Sequence, residues 1–151
     1  MTVIVAISDG GGMLFNNRRL SRDAELIRDL SLLIGDGMLY INSFSEKLFE
    51  ESSTSILSVS EPLASAEKGD FVFLENSVIG EFINKVSRLV IYKWNRRYPF
   101  DLKLDIAPES EGLRLTQSLD FRGKSHEKIT REIWERWILW RNNLVNILHH
   151  H

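Results

Sequence analysis

Short apolar runs that each hand over to a helix-patterned segment constrain this chain more than any other feature. Residues 2–8 (Thr-Val-Ile-Val-Ala-Ile-Ser), 38–41, 55–59, 71–74 and 89–92 are too short for helices and read as buried strands. After the first run, Ser21 is a good N-cap, and Ala24, Leu26, Ile27, Leu30, Leu33 and Ile34 form an apolar helical face. Gly35-Asp-Gly37 stops that helix. Ser43-Phe-Ser-Glu46 has the capping-box spacing of a brief helix through Phe49. Ser60-Glu-Pro62 opens another, ended by Gly69, and Val78, Ile79, Phe82, Ile83 and Val86 stripe a third. The alternation predicts an α/β fold, with a mostly parallel sheet and helices on both faces.

The rhythm changes after residue 99. Phe100, Leu102, Leu104 and Ile106 alternate with Asp101, Lys103 and Asp105, the period of a half-exposed strand. A turn over 108–112 and a return at Leu113 and Leu115 predict an antiparallel hairpin. The last segment predicts a C-terminal amphipathic helix capped by Ser125, with Ile129, Ile133, Trp137, Trp140 or Arg141, Leu144 and Ile147 or Leu148 near one stripe. Trp134, Trp137 and Trp140 wrap more than one face of such a helix. They either pack on the sheet or meet a partner, a second copy or another protein.

Composition narrows the function classes. A length of 151 residues with 43% hydrophobic and 26% charged content suits one domain, expected over residues 1–148. His149, His150 and His151 look like the end of a purification tag, so His126 stands alone and a multi-histidine metal site is excluded. The chain has no cysteine, which rules out disulfides, thiolate zinc sites and a cysteine nucleophile. A net charge of −2 argues against a dedicated nucleic-acid coat, although local basic patches survive the average. No apolar run reaches the roughly 18 residues that span a bilayer. The N-terminus lacks signal-peptide character, and the expected location is cytoplasmic.

The candidate site residues cluster where strands end. Asp9, Gly10, Gly11 and Gly12 follow the first strand, and in α/β folds the loop from strand to helix is where ligands sit. Their backbone N–H groups suit an anion, or they merely turn the chain. Arg18, Arg19 and Arg22 lead into the first helix, and Lys93, Trp94, Asn95, Arg96 and Arg97 follow the fifth strand. Together they would form a basic, aromatic rim for phosphate, a nucleotide or single-stranded RNA, or they are solvated charges at a sheet edge. Asp9, Asp23 and Glu75 could converge to make a general acid, whereas Asp23 alone would complement the helix dipole. His126 beside Glu127 is a candidate acid–base pair or a structural histidine.

With its elements in this order, the chain resembles the dihydrofolate reductase fold family. The resemblance rests on Val3-Ile-Val-Ala-Ile7, the Asn16-Asn17 pair, Leu20-Ser-Arg-Asp23 and the stretch over 71–95, about the first two thirds of the chain. It implies that Asp23 stands where the family keeps its catalytic carboxylate. Glu75 and Asn76 replace the glycine pair that lets backbone approach the cofactor pyrophosphate. Asn42-Ser43-Phe-Ser45 replaces a segment whose arginine pairs with cofactor phosphate. Arg18 and Arg19 stand near the position of the family's loop tryptophan, and the C-terminal helix replaces a closing strand. The segments Gly12-Met-Leu-Phe-Asn-Asn-Arg-Arg19, Lys93-Trp-Asn-Arg-Arg-Tyr-Pro99 and Ser125-His-Glu-Lys-Ile-Thr130 also resemble short bacterial proteins called ribonuclease Z, without that enzyme's His-x-His-x-Asp-His metal motif.

These features lead to a non-reductase binding protein on a dihydrofolate reductase-like scaffold, recognising a protein, a nucleotide or RNA, with no resident cofactor or metal. One alternative is a divergent NADPH-dependent pteridine reductase with Asp23 as its acid. Another is an RNA-acting enzyme that uses the arginine clusters and His126. Whether the chain is an enzyme stays open on sequence alone.

Overall fold

Val3, Ile4 and Val5 expose no surface, because β1 (Thr2–Ile7) runs through the main sheet with both faces covered. The computed structural model describes residues 1–136. Parallel neighbours flank β1: β6 (Phe71–Phe73) on one side and β7 (Arg88–Lys93) on the other. Beyond β6 lie β4 (Met38–Ile41) and β5 (Ser55–Ser58), also parallel. Beyond β7 come β10 (Ile129–Arg136) and β9 (Leu113–Phe121), both antiparallel to their neighbours. The order of the seven strands is β5-β4-β6-β1-β7-β10-β9.

The pleat sends Val3 and Val5 to one face and Ile4 to the other, so the sheet has two cores. On the first, Leu63 of α2 (Pro62–Ser65) joins Ile79 and Val86, which bracket a 3₁₀ turn over Gly80–Lys85. On the second, Leu26, Leu30 and Ile34 of α1 (Ala24–Ile34) join Phe49 at the end of a 3₁₀ turn over Ser43–Phe49. The mainly parallel sheet is as the sequence predicts. Its helical cover is thinner, since α1, with 11 residues, is the one α-helix longer than a turn among the described residues.

Ser21 does not cap α1. Asp23 does, its Oδ1 accepting from the Glu25 N–H at 2.9 Å, and Gly35 ends the helix with φ 59 and an N–H donated to the Ser31 carbonyl.

The C-terminal helix is overturned over the described residues. Ile129–Arg136 forms β10, bonded to β7 on one side and β9 on the other. Ile129 and Ile133 lie four residues apart, a spacing that places both on one face of a helix or of a strand. The open flank of β7 decides between them, because a strand there satisfies two ladders of backbone groups. Residues 129–136 are therefore a strand where the sequence predicts a helix. Trp137 and Trp140 lie outside the described residues.

The hairpin also has other members than expected. Leu102–Lys103, β8, pairs with β2 (Gly12–Phe15), while β9 pairs with β10. A small antiparallel sheet, β3-β2-β8, results, with β3 at Arg18–Arg19. Gly12 is required in it: a Cβ there would fall 2.4 Å from the Phe100 ring and 2.6 Å from Ser8 Oγ.

Candidate functional site

The glycine loop is occupied with its own turn. The Ser8 N–H donates to the Gly12 carbonyl at 2.9 Å, the Gly11 N–H to the Ser8 carbonyl at 3.0 Å, and the Asp9 N–H to the Arg96 carbonyl at 2.8 Å. Gly10 and Gly11 both sit at φ 86, where a side chain would strain the backbone. Asn16 and Asn17, at φ 51 and 58, are the two central residues of the tight turn joining β2 to β3. That accounts for the pair without a ligand.

Past this hairpin the chain brings Arg19 onto Glu75. The guanidinium donates from Nη2 to Oε2 at 2.7 Å and from Nε to Oε1, and Ser45 Oγ donates to Oε2 at 2.7 Å. Glu75 and Ser45 are buried, and Arg19 lies over the Phe44 ring. The bond to Glu75 raises the already high pKa of Arg19. Beside it, Asn42 Nδ2 donates to Asn76 Oδ1 at 2.9 Å. Two segments singled out by the sequence, 42–45 and 75–76, therefore meet, and they bond to each other. Ser43 opens the 3₁₀ turn there.

Asp23 and His126 also come together, across 103 residues of sequence. His126 Nδ1 lies 2.9 Å from Asp23 Oδ2, and both side chains are buried. The carboxylate accepts further bonds from the N–H groups of Lys124 and Ser125, each at 2.9 Å, and from Ser125 Oγ at 3.2 Å. Burial alone would push this carboxyl up. The N–H groups of Lys124, Ser125 and Glu25 and the His126 ring outweigh it and hold Asp23 well below the usual carboxylate range. Asp23 is thus a fixed anion rather than a proton donor.

An anion at Nδ1 makes that nitrogen the donor, and in the tautomer that carries its one proton there Nε2 accepts. Nε2 faces Ser21 Oγ at 3.0 Å and the Tyr98 hydroxyl at 3.3 Å. Trp94 stacks on the imidazole with centroids 4.6 Å apart, fixing its plane. The backbone around 123–126 closes tightly over Asp23. A Cβ on Gly123 would fall 2.4 Å from Asp23 Oδ2.

The two basic clusters have different partners. Arg18, Arg19 and Arg22 line an open groove of about 470 Å³ with Ser21 and Phe44. Lys93 is paired with Glu132 at 3.0 Å, Arg96 donates to the Ser125 carbonyl at 3.5 Å, and Arg97 is exposed. Asn95, at φ 57, ties its loop to Lys128 and Thr130. Of the aromatics near that loop, Tyr98 reaches the arginine side, lining a second groove with Arg18 and Arg19. Trp134 sits in β10, half-buried, with Nε1 donating to Glu132 at 3.1 Å; its indole packs on the first core.

Two cavities flank Asp23. One, lined by Ala6, Leu20, Ile27, Phe73, Glu75 and Trp94, encloses only about 20 Å³. The other is an open cleft of about 680 Å³ between α1 and the segment 47–53. Arg22, Arg28, Lys47 and Lys124 line it against the carboxylates of Asp23 and Glu51, with Ile27, Leu32 and Leu48 supplying apolar wall. The sequence did not point to Arg28, Lys47 or Lys124, because their convergence depends on how α1 packs beside the 3₁₀ turn. Ser21, Ser125 and Tyr98 were visible as caps or aromatics but not as partners of His126. Among the described residues no cluster of His, Asp and Glu could hold a metal ion, and no helix is long and apolar enough to cross a membrane.

No family model matches this sequence, and no curated protein does. The ribonuclease Z resemblance therefore draws no support from sequence comparison. Among solved structures, dihydrofolate reductase from Enterococcus faecalis, in a complex with NADP(H) and RAB-propyl, superposes with a TM-score of 0.63 at 10% identity. The match covers 89% of this chain and 95% of that one. What the chain shares with that enzyme is its fold, which is dihydrofolate reductase-like.

Proposed function

We propose that this chain is a binding protein on a dihydrofolate reductase-like scaffold, taking a small phosphate-bearing ligand such as a nucleotide in the cleft between α1 and the segment 47–53. The observation that carries the reading is the contrast between the two cavities beside Asp23. A ring reduced next to that carboxylate would need the enclosed one, and about 20 Å³ holds little more than one water. The open cleft, at about 680 Å³, lies within the usual range of roughly 300–1,000 Å³ for ligand sites. Its four cations outnumber its two carboxylates, and its apolar wall suits a base or other flat group.

The dinucleotide of the related fold does not suit the residues here. Glu75 is a buried anion at the end of β6, held by Arg19 and Ser45 where a pyrophosphate would need bare backbone. Fold alone does not carry over the reductase chemistry.

The test is a melting-temperature series with pyrophosphate, ADP and NADPH, run beside nicotinamide fluorescence. Pyrophosphate and ADP are expected to stabilise the protein, and Arg28→Ala with Lys47→Ala to weaken that effect about tenfold in concentration. NADPH fluorescence is expected to stay that of the free cofactor. Enclosed, brightened nicotinamide, or no response to any of the anions, would overturn the reading.

A further inference from the structure

We propose that Ser21, His126 and Asp23 form a nucleophilic relay that hydrolyses carboxylic esters bearing a negative charge, working in the groove lined by Arg18, Arg22 and Phe44. This goes beyond ligand binding in the larger cleft and does not depend on it. The distances are those of an activated serine: Oγ to Nε2 at 3.0 Å and Nδ1 to the carboxylate at 2.9 Å. Each member has its own support. Asp23 is fixed by Glu25, Lys124 and Ser125, and His126 is clamped by Trp94. Ser21, unlike the other two, is half-exposed and opens onto the groove.

A structural histidine needs only to satisfy its two nitrogens. Here the second nitrogen lies nearer to Ser21 Oγ, at 3.0 Å, than to the Tyr98 hydroxyl, at 3.3 Å, and Ser21 lines a groove of about 470 Å³. Arg19 contributes little charge to that groove, since Glu75 neutralises it. Arg18 and Arg22 form no ion pair among the described residues, and their charge is available to an anionic substrate and to the developing oxyanion.

The chemistry balances without a co-reactant other than water. Ser21 Oγ bonds to the ester carbonyl carbon while its proton passes to Nε2. The carbon–oxygen bond to the leaving alcohol then breaks, and that oxygen takes the proton from Nε2. Water attacks the acyl-serine, gives its proton to Nε2, and the departing Oγ recovers it. Asp23 acts as a positioning residue, holding the ring in the tautomer that accepts from serine.

The experiment uses the whole chain with a fluorophosphonate probe and mono-4-nitrophenyl succinate. A covalent adduct is expected on the peptide carrying Ser21. Ser21→Ala should abolish it, and His126→Gln should slow ester cleavage about 100-fold or more. Asp23→Asn should lower the rate and change its pH profile, which a purely structural role would not do. A second variant covers the event that the buried substitutions unfold the chain. With no native cysteine, Ser21→Cys introduces a single thiol. Its alkylation by iodoacetamide near pH 6.5 should run about tenfold faster than that of N-acetylcysteine, because an adjacent base lowers a thiol pKa. No adduct, an adduct that survives Ser21→Ala, or a thiol no more reactive than N-acetylcysteine would each overturn the proposal.

Discussion

The Tyr92 hydroxyl donates to Asp29 Oδ2 at 2.6 Å, which ties the interior of β7 to the buried side of α1. Arg131 of β10 grips the same carboxylate with Nη1 at 3.0 and 2.8 Å. One carboxylate therefore joins a helix and two strands. Both ions keep some solvent contact, so the cost of breaking the pair is discounted from that of a fully buried one. Asp29→Ala is expected to lose about 2 kcal/mol and Tyr92→Phe about 1 kcal/mol, since Arg131 remains in the second case. Urea midpoints read the ordering, and equal losses would show that the hydroxyl carries the whole network.

The same tyrosine sets an alkaline limit. Burial, and then Asp29, push its phenol well above the ordinary value. The unfolded chain releases that proton near pH 10 while the folded chain keeps it, so stability falls as pH rises above about 10. Tyr92→Phe should flatten that limb of a stability–pH curve.

Asp23 gives the acid limb. Its native pKa is depressed, so its contribution is fully present above the unfolded value of about 3.9 and is lost as pH falls below it. Asp23→Asn is expected to cost about 2 kcal/mol at neutral pH. It should also make stability less dependent on pH between about 2 and 4, as followed by denaturant unfolding.

Arg19 and Glu75 should be strongly coupled. Arg19→Ala strands a buried carboxylate and is expected to cost about 3 kcal/mol. Arg19→Met with Glu75→Leu removes both charges and should recover most of that loss. Additive single and double variants would show that the pair is independent in effect.

Gly123→Ala puts a methyl into space that Asp23 occupies, and four donors besides His126 restrain that carboxylate. A loss of about 1–3 kcal/mol is expected. In an Asp23→Ala background the same change should cost less, with the 2.8 Å approach to Ile129 Cδ1 remaining, which a thermal double-mutant cycle measures.

The parallel half of the sheet was readable because both faces of each central strand are buried, and Val3, Ile4 and Val5 leave no polar alternation to confuse the pattern. The first helix was readable for a similar reason, since Leu26, Leu30 and Ile34 repeat at helical spacing and Gly35 ends them. β10 was not. Ile129 and Ile133 fit either period, and the vacancy beside β7 that chooses between them is a property of the assembled sheet. Asp23 and His126 were both visible as chemistry-bearing residues. Their meeting was not visible, because nothing in a single sequence links positions 103 apart. Ser21 was read as a cap two residues early, an error in helix boundary that hid its bond to His126.

The insertion of β10 between β7 and β9 makes the covering of β7 depend on a single segment. Until residues 129–136 dock, β7 presents a free edge over its whole length, and such an edge is a template for pairing with another molecule. A ribosome-bound chain stopped short of Ile129 would carry that edge uncovered. His126 lies three residues before β10, so the segment that covers this edge is also the one that brings His126 to Asp23. Loop closure over such sequence separations is slow, and early release of shortened chains should therefore favour strand exchange over the native sheet.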